Sequence, residues 1–139
     1  MKFLGKTPEW TKKAVARPGA APQTTRERGD AAEDRALAYL LSQGLQLLER
    51  NYRTPGRGGG EIDLIMRERD GTVVFVEVRS RSSKAFGGAA SSIGAVKQQR
   101  IIHAAHHYLL RHASPPPCRF DAVLLEDSVQ WLKAAFDAG

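Results

Sequence analysis

The sequence predicts a mixed α/β domain in which a central β-sheet is flanked by helices. Three observations predict it. Residues 26–43 and 93–112 repeat apolar side chains at helical spacing. Five short segments between and after them read as strands bounded by turn signals, and 72–80 among them is rich in β-branched and aromatic residues. The 139 residues are enough for one domain with a real core. The order is α, three strands, α, two strands, with a largely antiparallel start.

Residues 1–24 are expected to be a disordered basic arm, and residues 25–139 a single domain. Pro8, Pro18, Gly19 and Pro22 punctuate the arm, and no periodicity survives there. Of the net charge of +6, the first 25 residues carry +4. A basic tail suits an acidic partner such as nucleic acid, or serves solubility alone. The arm lacks the apolar stretch of a signal peptide. The longest apolar run, Ala36–Leu41, is far short of the roughly 20 residues of a membrane span. A lone cysteine, Cys118, excludes a disulfide framework and fits a reducing, cytoplasmic setting. It is expected to be a buried or inert thiol.

Each element has its own justification. In the first helix Asp30, Glu33 and Asp34 favour the N-terminal half, Ala36, Leu37 and Leu40 form the apolar stripe, and Gly44 is the stop. Thr25 is followed by Arg28, so no capping box is expected there. Residues 45–53 form the first strand. The glycine-rich loop 55–60 is read as a flexible hairpin connection, since no helix comes after it to make a phosphate site. Residues 61–67 and 72–80 form a hairpin. Ser91 or Ser92 is expected to cap the second helix. Residues 120–125 and a short 129–132 complete the sheet.

The hairpin register is set by its faces. Ile62, Leu64 and Met66 form one row, and Val74, Val76 and Val78 the other. Bringing these rows together requires the three-residue loop Arg69-Asp70-Gly71, with Gly71 left-handed. Asp63 then stands opposite Glu77, on a face shared with Glu61 and Arg79. Opposed like charges destabilise a sheet, and close carboxylates need a cation or a proton to coexist. Oxygen donors grouped this way suit Mg²⁺ or Mn²⁺. The alternative is a solvated face balanced by Arg67 and Arg79. Glu33 and Lys97 each sit on the apolar stripe of a helix, which suggests one polar pocket where helices meet sheet.

Gly60-Glu61-Ile62-Asp63-Leu64-Ile65, Phe75-Val76-Glu77-Val78-Arg79, Phe86-Gly87, Lys97-Gln98 and Arg119-Phe120-Asp121, in this order, resemble the YraN family. That family is similar to the PD-(D/E)xK nuclease superfamily and to archaeal Holliday junction resolvases. The resemblance implies a restriction-endonuclease-like core and metal-dependent hydrolysis of DNA phosphodiesters, branched DNA included. It implies Glu33, Asp63, Glu77 and the Val78 carbonyl as metal ligands, Glu33 being the acid of the first helix. Asp63, Glu77, Arg79 and Lys97 would be catalytic, and Arg79, Arg81, Lys97 and Gln98 would contact nucleic acid. Arg79 stands where the superfamily usually has lysine. Arginine stays protonated and is a poor general base, though it can hold a phosphate. Two other readings stay open: an inactive nucleic-acid-binding protein of the same fold, and a structural or partner-binding protein. A homodimer is expected by analogy with resolvases, and no membrane association.

Other signals are weaker. His103 and His107 lie four apart but lack a third ligand in sequence, so surface histidines are expected. Asp121 is expected to support the fold. Trp131 is expected in the core, and Trp10 in the arm as a partner contact.

Overall fold

A computed structural model describes residues 24–56, 58–80 and 93–138. The arm up to residue 23 with Trp10, as well as Arg81, Phe86-Gly87 and the serines at 91 and 92, lie outside the described residues. Helices α1 (Thr25–Ser42) and α2 (Ala95–Leu109) flank a five-stranded sheet. Its strands are β1 (Gln46–Arg53), β2 (Glu61–Arg67), β3 (Val73–Ser80), β4 (Cys118–Leu125) and β5 (Val129–Phe136), in that spatial order. Only β3 and β4 are parallel, and the chain between them contains α2, the long crossover that a parallel pair requires.

The sheet is covered on both faces, by different apolar clusters. Leu64, Met66, Val74, Val76, Val123 and Leu125 pack with Ala36 and Leu40 of α1. Ile65, Val73, Phe75 and Phe120 pack with Ile101, Ile102, Ala105 and Tyr108 of α2. This is a restriction-endonuclease-like α/β core.

Helix α1 is capped one residue before the position considered from the sequence. The Thr24 hydroxyl accepts from the Glu27 N–H, and the Glu27 carboxylate accepts from the Thr24 N–H. A full capping box is thus present, where Thr25 with Arg28 would have made none. At the other end Gly44, at φ 96°, donates to Leu41 O, and Leu45 donates to Leu40 O. That pair of bonds is a Schellman stop and satisfies two orphan carbonyls. Helix α2 starts later than expected, at Gly94, with no side-chain cap. Gln98 Nε2 instead donates to Ile93 O at 2.9 Å, tying the entering chain to the first turn.

The β2–β3 hairpin has the register that the apolar rows demand: Leu64 opposes Val76, and Met66 opposes Val74. Glu68 and Thr72 close the three-residue loop, and Gly71 is left-handed at φ 95°.

Simple alternation fails in one place. Arg50 and its partner Leu64 face α1, through Glu33, Asp34 and the α1 cluster. Tyr52 and its partner Ile62 face α2 instead, beside His107 and Tyr108. Between them Asn51 takes φ 54°. A left-handed residue in a strand rotates the residues beyond it, and asparagine tolerates that conformation better than most. Ile62 therefore leaves the row of Leu64 and Met66, and Glu61 leaves the face of Glu77.

Strand β5 is twice the expected length, because a bulge lets it continue. Phe120 pairs with Phe136 and Ala122 with Leu132, leaving extra residues on β5 with Ala134 at φ 53°. Asp121, fully buried, holds this bulge. It accepts from the Ala134 N–H and Trp131 Nε1, both at 2.9 Å, and from Arg119. Its role in supporting the fold is thus explicit. Trp131 is partly buried against the α1 cluster. Cys118 is exposed at the start of β4, which corrects the buried alternative of the expected buried or inert thiol, while partial burial pushes the thiol pKa up.

The glycine-rich loop is a hairpin connection with a packing purpose. A Cβ on Gly60 would collide with the Arg100 carbonyl oxygen of α2. The Gly60 N–H donates to the buried Thr54 hydroxyl at 2.7 Å. Gly60→Ala is expected to destabilise the fold by about 1–3 kcal/mol through overpacking. Gly29→Ala, in open space on α1, is expected to stabilise it by about 0.5–1 kcal/mol. Urea unfolding of the two variants beside wild type checks both signs.

Candidate functional site

The sheet forks where the expected acids lie. Backbone pairing of β2 with β3 ends at Leu64–Val76. Beyond that point β2 stays paired with β1 through Tyr52–Ile62 and Arg53–Glu61. Likewise β3 stays paired with β4 as far as Ser80–Leu125. Two prongs thus separate, and the backbone groups facing the gap lose their ladder partners. Asp63 fills part of the gap: its Oδ2 accepts from the Val78 N–H at 2.8 Å. The carboxylate supplies the bond that the ladder no longer makes.

Glu77 is the buried acid of the other prong, with 5% exposure. Its Oε2 lies 3.4 Å from Lys97 Nζ of α2 and 3.8 Å from Arg79 Nη1. Its Oε1 is buried without a hydrogen-bond partner. Asp63 and Glu77 lie close enough for each carboxyl to shift the titration of the other. Burial, then the charge of Glu77, pushes the Asp63 carboxyl up to about 7, against the Val78 N–H and Lys97. Burial also raises Glu77, with Lys97 pulling it back down. Two buried carboxylates this close coexist by sharing a proton or a cation.

Glu33 approaches from the α1 side. Burial first, then Asp63, raises its carboxyl, while Arg50 and Asn51 oppose the rise. Arg50 Nε lies 3.5 Å from Glu33 Oε1, and its Nη2 donates to Asp34 at 2.6 Å. The side chain of Asp63 therefore feels Glu33 from one layer and Lys97 from the other.

Of the expected site residues, the structure brings together Asp63, Glu77, Arg79 and Lys97. Glu61 is not among them. It lies 3.5 Å from Arg53 and lines a cleft of about 650 Å³ with Arg26, Asp30, Glu33 and Asn51. Gln98 is engaged with Ile93. His103 and His106 are exposed, and His107 Nδ1 hydrogen-bonds Tyr52 Oη at 2.5 Å. Arg50 and Asn51 join the site without having been singled out by sequence. The asparagine inside a strand pattern is the only signal for either.

The donor set fits a hard divalent cation in part. Two adjacent carboxylates, one with an unsatisfied buried oxygen, suit Mg²⁺ or Mn²⁺. Among the described residues, no three His, Cys, Asp or Glu side chains form a metal-holding group. The Asp63–Glu77 pair is the centre of the set, and Glu33 on the α1 side presents a second buried oxygen, Oε1, with no hydrogen-bond partner, 3.5 Å from Arg50 Nε.

Fold and site together define an α/β protein with a restriction-endonuclease-like core and a paired carboxylate site in a forked sheet. The chain belongs to the family described as Uncharacterised protein family UPF0102, the YraN family, whose model matches residues 32–125. It is 71% identical to a UPF0102 protein of Paracidovorax citrulli (strain AAC00-1) over 130 residues, 91% of this chain and 96% of that one. It is 63% identical to a UPF0102 protein of Verminephrobacter eiseniae (strain EF01-2) over 140 residues, 99% of this chain and 97% of that one. Among the described residues no helix is long and apolar enough to cross a membrane.

A raised Asp63 pKa means that the folded chain binds a proton the unfolded chain releases between about pH 4 and 7. Without metal, stability should fall as pH rises through that window and level off above it. Asp63→Asn should remove this slope. Its stability relative to wild type should be higher at pH 8 than at pH 4, by on the order of 2 kcal/mol. Denaturant unfolding in a chelator-containing buffer at both pH values checks the sign.

Proposed function

We propose that this protein is a divalent-metal-dependent endonuclease that hydrolyses DNA phosphodiester bonds, branched DNA among them, in the cytoplasm. One observation carries the proposal: two mutually destabilising carboxylates stand in the open fork of the sheet with two cations beside them. Two buried carboxylates this close repel each other unless they share a proton or a cation, so the pair suits a cationic ligand. Asp63 and Glu77 would hold Mg²⁺ or Mn²⁺, with the Val78 carbonyl as the further ligand implied by the resemblance. When bound there, such an ion supplies an acidified water and charge neutralisation at the phosphoryl oxygens.

The chain's own groups do the rest. Arg79 remains protonated and offers paired N–H donors, so it orients a phosphate and offsets charge that grows during attack. A single positioned donor of this kind contributes about 3 kcal/mol in other enzymes. Lys97 is half-exposed on α2, where it can donate to a leaving oxygen. Glu33, with its raised pKa and its Arg50 tether, positions Asp63 from the α1 side.

A second reading, a nucleic-acid-binding protein without catalysis, is favoured by Arg79 standing where the superfamily has lysine. A structural or partner-binding role is the third. Junction, flap and duplex DNA incubated with Mg²⁺ or Mn²⁺ decide between them. Cleavage by wild type and its loss, by about a hundredfold or more, in Asp63→Ala and Glu77→Ala is the expected outcome. Equal activity in all three proteins would sink the catalytic proposal, and binding without cleavage would select the second reading. Mg²⁺ or Mn²⁺ should also raise the melting temperature of wild type, by about 2.7 kcal/mol of stability at a hundredfold excess over Kd. The Asp63→Ala variant should show no such rise. No metal effect on wild type would favour the structural role.

A further inference from the structure

Acidic and basic residues are segregated along the chain. From Val78 to Phe120 there is no aspartate or glutamate, while Lys and Arg recur and all four histidines fall within it. The described part of this segment is α2 with its flanks. On α2 the exposed residues Lys97, Arg100, His103 and His107 recur at steps of three and four, which places them on one face. They span about 15 Å along the helix axis, and exposed Arg111 extends the row beyond its end. The row begins at Lys97, which contacts Glu77 of the acid pair.

Its far end is held in place by aromatic rings. The Arg111 guanidinium lies 4.0 Å from the centre of the Tyr108 ring and 5.8 Å from that of Tyr52. The two tyrosines meet edge to face at 5.4 Å. Stacking through its face leaves the N–H edge of the guanidinium available to an anion. The Tyr52 hydroxyl likewise fixes the imidazole of His107. Beside the middle of the row, an open groove of about 440 Å³ is lined by Gly58, Ala95, Val96, Gln99, Arg100 and His103. Apolar and cationic groups side by side suit a sugar or base whose phosphate lies on the arginine.

We propose that this face of α2, from Lys97 through Arg100 to Arg111, is the track on which the phosphate backbone of a nucleic-acid strand lies as it leads to the forked acid site. The proposal deepens the nuclease reading and rests on it for the direction of the track, but binding does not require cleavage. The occupant is a polyanion with regularly spaced charges, which the acid-free row complements.

The test uses the full chain in a chelator-containing buffer, so that binding is read without hydrolysis. Fluorescently labelled single-stranded and duplex DNA of about 20 nucleotides are titrated at several salt concentrations. Arg100→Gln combined with Arg111→Gln should weaken binding at least tenfold near physiological salt. It should also lower the slope of log affinity against log salt by about 1.8 for duplex. Lysine at both positions should restore the slope. Arg35→Gln with Lys133→Gln, which removes two exposed charges from α1 and β5, should leave the slope nearly unchanged. Unchanged binding in the α2 variant, an equal loss in the α1/β5 variant, or no DNA binding by wild type would each overturn the track. So would preferential binding of an acidic polypeptide at the same row. Binding through the row without cleavage on adding Mg²⁺ or Mn²⁺ would overturn the hydrolytic reading and leave the track standing.

Discussion

The opening of the β2–β3 ladder governs the arrangement of this molecule. A sheet satisfies its backbone polar groups by pairing them, and an interior gap leaves groups that must be satisfied some other way. Past Leu64 and Val76 the two central strands each keep only their outer neighbour. Asp63 answers part of the deficit by accepting from the Val78 N–H. That bond draws the carboxylate into the plane of the sheet, where it meets Glu77. The crowding of two acids is thus a product of backbone accounting as much as of any functional demand.

The surrounding charges share out the cost. Lys97 from α2 and Arg79 from β3 attend Glu77, while Glu33 with Arg50 stands on the α1 side. Each layer of the fold therefore contributes to the electrostatics of the fork. Burial outweighs these attractions, since both carboxyls are raised from their ordinary values. The Asp121 cluster makes a useful contrast. It too is a buried carboxylate, but it collects a guanidinium, an indole N–H and a backbone N–H, and it uses them to pin a bulge. A carboxylate saturated with donors supports the fold, whereas one left competing with another carboxylate marks a site.

Much of this is legible in the residues. The parity of the two apolar rows sets the hairpin register, because a shift of one position would no longer place Val74 and Val76 on the same face as Leu64 and Met66. That register alone places Asp63 near Glu77. The pairing of Lys97 with this site comes from its place on the apolar stripe of α2. The consequence of one backbone angle is not legible. Asn51 at φ 54° turns the ends of β1 and β2, so Ile62 changes layers and Glu61 moves from the acid pair into the α1 cleft. Periodicity presumes a uniform strand and has no means of registering such a twist. The length of β5 is hidden for a related reason. Its continuation depends on a long-range bond from the Ala134 N–H to Asp121, which no local pattern announces.

Gly60 gives the fold a mechanical character. With no side chain to hold them apart, the β1–β2 hairpin and the Arg100 carbonyl sit in direct contact, and the Thr54 hydroxyl bolts the loop on the other side. Hairpin and α2 therefore meet backbone to backbone, and any side chain at position 60 would have to separate them.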